Sequence, residues 1–542
     1  MSKRIDTAVI IVGGGPVGLT LAYDLGLRGV RCVLVEADAG TGLELLAKAG
    51  TFNERTVEYF RKMGVADDII NAGFPLDYPR DTLYVTSLNG FVLGRDPLPS
   101  AKDRIPFPET REIPARCPQY VFDPLMAGKV LELGMTQVLY GAVWRSMSED
   151  AEGVTSVVEG PDGEHLTVRS KYIVGCDGAG STVRRAAGIA FEGNDLDYSV
   201  SAMIEFEALE DLHPHGRAER FMFVGEDGKT WANITSVDGR KLWRMTLVGF
   251  TERQQPDSND YDAAMRRALG TDEGDWTLHR VMPWRRSHYT AERFAQGRLF
   301  LAGDAAHTTS PTGGHGLNTG LGDVSDLAWM LQALIEGWGG RSLIDAYNAE
   351  RRPVAIRNGN FSSRNYGAWV EEAKWDRLFE DSPEGEKQRR ALGDQMNARL
   401  QPEWHSFGVA MGYRYDESPI VVGDGTPPTP DDASVYVQTA RPGHRAPFVR
   451  FADGTATIDL LDRDAFTLLV LGDEPASADI GRAEAAAAGL GVPLTVVRVS
   501  EPAVAAAYDR PRVLVRPDGM VTWRGDELPA PRDLLLTVTG RA

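Results

Sequence analysis

The chain has 542 residues, of which 42% are hydrophobic and 25% charged, and it carries a formal net charge of −19. That length exceeds what one core fills, so roughly two to four domains are expected. The acidic balance argues against a surface for phosphate backbones, so no nucleic-acid partner is expected.

Taken from the start, residues 7–12, TAVIIV, read as a short strand buried on both faces. The glycines and Pro16 that follow break this apolar stretch well short of a bilayer's thickness, so no membrane span is expected. The turn has the spacing Gly13-x-Gly15-x-x-Gly18, with Pro16 inside it and the helical stretch LTLAYDLGLRG after it. A second apolar strand, RCVLVE, ends at Glu36. Strand, glycine turn, helix, strand and terminal acid together form the dinucleotide fingerprint. Gly13 serves the tight turn, Gly15 lets backbone approach a pyrophosphate, and Gly18 lets helix pack on strand. The helix N-terminus faces the phosphates, and Glu36 accepts from a ribose hydroxyl.

Residues 82–94, TLYVTSLNGFVLG, read as further strands. In KYIVGCDGAGSTVRRAAG, residues 171–188, another apolar strand runs into Asp177-Gly178, and Ser181 and Arg184 open a helix. From 195 to 285 the βα rhythm gives way to apolar–polar alternation with Gly/Asp turns, the pattern of an antiparallel sheet with one covered face. RLFLAGDAAH, residues 298–307, repeats strand, then Gly303-Asp304, then small residues; Pro311 and a glycine cluster lead into a helix. A Pro-rich linker, GDGTPPTPDD at 423–432, precedes a tail of strands bracketing the helix ADIGRAEAAAAGLG.

These three motifs, in this order, resemble those of the single-component FAD monooxygenases related to para-hydroxybenzoate hydroxylase and phenol hydroxylase. FNERTVEYFRKMGV at 52–65, RCPQYVFDPLM at 116–126 and LIDAYNAERRPVA at 343–355 extend the resemblance over roughly residues 5–360. It implies a mixed α/β and α+β fold in four parts. Residues 1–80, 105–190 and 285–345 would form a Rossmann-like FAD-binding domain, and 81–104 with 191–284 a substrate-binding β-sheet domain. Residues 346–422 would be a helical segment and linker, and 423–542 a thioredoxin-like domain.

Carried residue by residue, the resemblance places FAD on Gly13, Gly15, Pro16, Gly18, Glu36, Arg116, Gln119, Asp177, Gly303, Asp304, Gly316, Leu317 and Asn318. Lys48 stands in for an arginine that this chain lacks before the N-x-R-T segment. Asp304 would meet the ribityl chain, and the N–H groups of Leu317 and Asn318 the electron-poor edge of the flavin. Helix capping is the plainer role for Asp177 and Asp304. Phe221, Phe223, Trp231, Trp243 and Met245 would line the substrate pocket, or serve as ordinary core. Pro311 would face the oxygen side. His315, where the family often has glutamine or an apolar residue, would relay protons or touch substrate. No base for the phenol is identified among His213, His215, Arg220, Arg244 and His288. Asp326 stands where the family usually has asparagine.

The implied activity is NAD(P)H- and O2-dependent hydroxylation of a phenolic or polycyclic aromatic substrate through a flavin C4a-hydroperoxide. Baeyer–Villiger oxygen insertion is the alternative within the fold, and a non-catalytic flavin-containing aromatic-ligand binder the alternative outside it. The cysteines, Cys32, Cys117 and Cys176, lack CxxC or metal-type spacing, so no disulfide framework or metal is expected. None lies in the tail, which excludes thiol chemistry there and leaves packing or a homodimer contact as its role. Sparse cysteine and no signal peptide point to the cytoplasm.

Overall fold

The computed structural model describes residues 3–41, 48–371, 375–472 and 478–542. At its centre is a six-stranded sheet in the order Ala295–Gln296, Leu299–Leu301, Tyr172–Gly175, Val9–Val12, Cys32–Val35, Thr136–Leu139. The last five strands are parallel, and each of the three central ones is buried along its whole length, as a sheet covered on both faces demands. The helices Pro16–Leu27, Gln119–Leu133 and His315–Glu336 supply the cover.

A four-stranded layer, for which the sequence offers no predicted place, flanks this core. Val143–Glu149, Val154–Glu159 and His165–Ser170 form two hairpins, and Lys3–Asp6 adds a parallel edge. Turn residues at Asp150–Gly153 and Gly160–Gly163 close the hairpins.

The antiparallel region is an eight-stranded sheet that takes Thr82–Val85 and Val92–Asp96 from one part of the chain and Phe191–Glu205, Arg220–Val224, Thr230–Ser236, Leu242–Phe250, Thr277–Ala291 and His307–Thr308 from later parts. Phe191–Glu205 and Thr277–Ala291, fifteen residues each, pair along their length and run on beside the FAD-type core. The helix Ser258–Leu269 covers one sheet face through Tyr261, Met265 and Leu269. The helices Ser342–Trp369 and Pro383–Trp404 cover part of the other through Tyr366, Trp369, Leu392 and Met396.

In the tail the strands lie in the order Leu494–Val499, Phe466–Leu471, Arg512–Val515, Val521–Gly525. The first pair is parallel and the others antiparallel, with helices Ala478–Leu490, Pro502–Tyr508 and Pro531–Val538 between and after them. This is the connectivity of a thioredoxin-like unit. The Pro-rich stretch before it is a strap held to its neighbours: Asp431 pairs with Arg357 at 2.6 Å and Asp424 with Arg524 at 2.7 Å. Among the described residues no helix is long and apolar enough to cross a membrane.

The tail docks on the core through charge as well as apolar area. The fully buried Arg516 meets both oxygens of Glu350 at 2.5 and 2.9 Å, and also Asp518, which accepts from Trp329 Nε1 at 2.9 Å. Trp329 in turn stacks on Trp338 and meets Phe466 edge-on. Removing one partner of such a network strands the others, uncompensated, away from water. Arg516→Ala is expected to lose about 3–5 kcal/mol of stability in urea unfolding.

Candidate active site

The first βα turn is packed as only glycine allows. Gly13 has φ of +108°, and a Cβ at Gly18 would lie 2.0 Å from the Gly13 carbonyl oxygen. Gly15 is different: a Cβ there would meet no protein atom within 4 Å. It caps the Pro16–Leu27 helix without any side-chain hydrogen bond, so the free N–H groups and positive end of that helix face open space. An anion such as a pyrophosphate fits this cradle. Beside it, the Glu36 carboxylate is aimed by the backbone N–H groups of Gly14 and Asp38.

The two Gly/Asp turns look alike in sequence and differ in use. Asp177 is spent locally: it accepts from Ser181 Oγ at 2.5 Å, Thr182 N at 2.6 Å and Val183 N at 3.2 Å, which organises the start of the Thr182–Ala186 helix. No donor among the described residues reaches the Asp304 carboxylate. Its surroundings nevertheless raise its pKa, chiefly by desolvation, against the pull of His307 and Lys48. The residue is nonetheless exposed, so its carboxylate is available to a ligand's hydroxyls. Gly303 just before it has φ of +62°, and its N–H is held by Asp323 Oδ2 at 3.1 Å.

A second uncapped helix N-terminus follows. Gly314, at φ of +69°, caps His315–Glu336 with no side-chain bond, leaving the N–H groups of Gly316 and Leu317 in the first turn. Asn318 lies one position too far in for its own N–H to be free. Its side chain ties the helix to the 51–56 segment instead, accepting from Asn53 N and Thr56 Oγ1 and donating to Thr51 O and Gly314 O at 2.7–3.0 Å. Lys48 is exposed, and its charge acts on both Asp304 and Asp123.

Gln119 opens the Gln119–Leu133 helix and donates to Asp123 Oδ2 at 2.9 Å. Asp123, passed over in the sequence, has a buried Oδ1 with no partner, and burial pushes its pKa up to about 7. Only an isolated "DP" inside a helical stretch pointed to it.

Of the two sheet faces, the polar one looks toward this cleft. Arg286 Nη1 donates to Ser310 Oγ at 2.9 Å and Arg244 Nη1 to the Lys48 carbonyl at 3.4 Å, while Arg116 reaches Thr51 Oγ1 at 3.2 Å and Glu219 Oε1 at 2.9 Å. Arg286 thus clips the 310–316 loop, and Arg244 the 48–51 segment, to the sheet face that also carries Arg220, Asn233, Thr235 and Thr246.

This corrects the expected pocket lining. Phe221, Phe223, Trp231, Trp243 and Met245 lie on the opposite face, packed with Tyr261 and Met265 of the Ser258–Leu269 helix. The pleat sends alternate residues to opposite faces, and the face with aromatic residues is the one the helix covers. His213 lies with them, edge-on to Phe221, and His215 stacks on His213.

His315 is also placed differently. Its ring meets Phe361 edge-on and borders a water-sized cavity, about 20 Å³, shared with Asn318, Arg351, Asn358 and Tyr413. The ring lies behind the glycine loop. Nε2 is buried without a partner, and burial lowers the pKa to about 4, so the imidazole is neutral at pH 7. Pro311 is exposed at the loop tip, between Ser310 and a Thr312 hydroxyl that donates to Ser362 O at 2.6 Å. Glu403 supports the loop from below, accepting from Gly313 N at 3.0 Å and Trp369 Nε1 at 2.7 Å.

Comparison with known proteins agrees with this geometry. Residues 6–362 match the model of an FAD binding domain, and residues 439–542 that of the aromatic-ring hydroxylase C-terminal region. A putative polyketide hydroxylase of Streptomyces halstedii is 32% identical over 98% of this chain and 97% of its own. RebC soaked with chromopyrrolic acid superposes at a TM-score of 0.91 with 34% identity, covering 99% of this chain and all of RebC. The flavin-dependent monooxygenase PieE, in complex with FAD and substrate, superposes at 0.90 with 29% identity over the whole of both chains. The chain belongs to the FAD-dependent aromatic-ring hydroxylases, monooxygenases that use NAD(P)H and O2.

Proposed function

We propose that the chain hydroxylates a phenolic ring of a polycyclic aromatic substrate in the cleft between the polar sheet face and the 310–316 loop. The observation that carries this reading is the Arg286–Ser310 bond, which joins the sheet to the loop that follows Asp304 and so brings a ligand-binding floor against the cofactor turn. The relative named as a putative polyketide hydroxylase supports a substrate of the polyketide type.

FAD, when bound, supplies hydride acceptance and oxygen activation. The chain's own part is binding, orientation and charge. The Pro16–Leu27 N-terminus takes the pyrophosphate, with Gly15 leaving room for it, and Glu36 takes a ribose hydroxyl. Asp304 accepts from the ribityl chain, which satisfies a carboxylate that no donor among the described residues reaches. The N–H groups of Gly316 and Leu317, at the positive end of a 22-residue helix, face the flavin edge and stabilise negative charge there. The loop's position depends on Glu403 beneath Gly313 and on Thr312 bonded to Ser362.

Three outcomes test this. First, a panel of phenols, from simple to polycyclic, is expected to contain at least one that speeds anaerobic flavin reduction by NAD(P)H roughly tenfold or more and that gains one oxygen from labelled O2. No stimulation by any member favours a ligand-binding protein instead. Second, Gly15→Val and Asp304→Ala are expected to purify with little FAD and a far-ultraviolet circular dichroism spectrum like the parent's. Gly18→Val, whose side chain collides with Gly13 O, should lose fold stability as well. Retention of full FAD by Asp304→Ala counts against the assigned role.

Third, burial pushes Glu403 up from 4.5 to about 7. A raised carboxyl favours the fold while protonated, so its contribution is complete below pH 4.5 and lost as pH rises through 7. The loss amounts to about 3 kcal/mol at most. Glu403→Gln should flatten the fall in unfolding free energy between pH 5 and 7.5, measured against the parent.

A further inference from the structure

Four carboxyl groups are shut away together where the cofactor core meets the tail. Asp323 and Asp326 share one side of the His315–Glu336 helix, Glu350 comes from the Ser342–Trp369 helix, and Asp518 from the turn after the Arg512–Val515 strand. Asp323 and Glu350 are wholly buried, and Asp326 and the Asp518 side chain are 1% exposed. Three of the four hold a cation. Asp323 accepts from Arg351 Nε at 2.9 Å, and Glu350 and Asp518 share Arg516.

Asp326 holds none. Among the described residues no cation pairs with it, and its bond comes from the Tyr415 hydroxyl at 2.5 Å. The guanidinium beyond that hydroxyl is already committed: Arg351 places Nε on Asp323, Nη2 on the Thr319 carbonyl at 3.0 Å and Nη1 on the Tyr415 oxygen at 3.1 Å. Around Asp326 stand Arg351 and Arg516, which favour its charge, Glu350 and Asp518, which oppose it, and the un-ionised hydroxyls of Tyr415 and Tyr347. Lys62 bonds to the Pro517 carbonyl at 2.8 Å and acts on Asp518 from outside the group.

Ionised, Asp326 would be a buried carboxylate without a counter-ion, a costly state. Burial accordingly pushes it up to about 8. The neutral acid suits the site, because its carbonyl oxygen accepts from Tyr415 without any charge, as would the asparagine usual in the resembled family. A chain of hydrogen bonds joins this acid to the cofactor turn: Tyr415 to Asp326, Arg351 to Tyr415, Arg351 to Asp323, and the N–H of Gly303, next to Asp304, to Asp323.

We propose that Asp326 is a positioning residue that carries a proton in the working enzyme, and that losing this proton loosens the Gly303–Asp304 turn and lowers FAD affinity. An ionised Asp326 attracts the Arg351 guanidinium past the Tyr415 hydroxyl and competes with Asp323 for it. Asp323 then holds Gly303 less firmly, and the Asp304 carboxylate loses its aim. The proposal rests on assigning this turn to FAD, which Asp304→Ala tests by itself.

The test is FAD release on dilution of the holoenzyme, read from the fluorescence of the freed flavin at pH values below the ionisation of the flavin ring itself. FAD affinity of the parent is expected to fall roughly tenfold between about pH 7 and about pH 9. Asp326→Asn, which cannot ionise, should match the parent within roughly twofold at the lower pH and keep that affinity at the higher one. Asp326→Ser, a smaller neutral acceptor, is read in the same way should Asp326→Asn not fold. The proton itself is read in the infrared difference spectrum between the same two pH values, where the parent is expected to lose a protonated-carboxyl stretch that the variant lacks. A flat affinity profile in the parent overturns the proposal. So does a fall that persists in both variants, which would belong to Lys62, Asp123 or Glu403. A parent spectrum with no carboxyl band beyond those of the variant also overturns it, since Asp326 is then ionised throughout.

Discussion

One buried carboxylate organises the cofactor side of this molecule. Asp323, with no exposed side-chain surface, accepts from Gly303 N at 3.1 Å, His307 Nε2 at 2.8 Å and Arg351 Nε at 2.9 Å. These interactions hold its pKa below the ordinary carboxylate range despite complete burial. The first bond sets the turn that presents Asp304. The third reaches outward: Arg351 also donates to Thr319 O at 3.0 Å and to the Tyr415 hydroxyl at 3.1 Å, and that hydroxyl donates to Asp326 at 2.5 Å. Burial pushes Asp326 up to about 8. The residue just before Arg351 in the chain, Glu350, holds Arg516 of the tail. Charges sequestered at this density are stable only as a set, so the cofactor turn and the C-terminal unit share one electrostatic fate.

Much of the fold was legible because its signals are local. Gly13, Gly15 and Gly18 encode a backbone path that few other residues can follow, and the strand–turn–helix context around them fits within thirty residues of chain. Asp304 and Asp177 show where locality ends. Both follow an apolar strand and precede small residues and a helix, yet Asp177 finds four donors in its own turn and Asp304 finds none. The difference lies in how each helix begins, a matter of backbone geometry that no residue type announces. The hairpins of residues 143–170 escaped because their alternation is ordinary and no motif marks it.

The sheet shows a different limit. A period of two tells which residues share a face, but the choice of which face looks into the cleft is made by elements far away in sequence. The Ser258–Leu269 helix takes the aromatic face, and the loop after Asp304 takes the polar one. The placement of His315 has a related cause: its backbone lies at the N-terminus of the His315–Glu336 helix, and helical geometry turns its side chain back against Phe361. Charge behaves in the same way. A chain with a net charge of −19 gathers arginines around one wall of its cleft, and composition averages that local excess out of sight.

The paired strands Phe191–Glu205 and Thr277–Ala291 carry a mechanical consequence. They are hydrogen-bonded to one another from the sheet's outer end to the edge of the cofactor core, where Tyr289 and Thr290 meet Thr308 and His307. Such a ribbon behaves as a girder. Swinging the two halves of the molecule apart would break a succession of ladder bonds, each worth about 1 kcal/mol. Traffic into the cleft is therefore the business of short spans at its mouth, while the spacing between floor and roof is set once, when the girder forms.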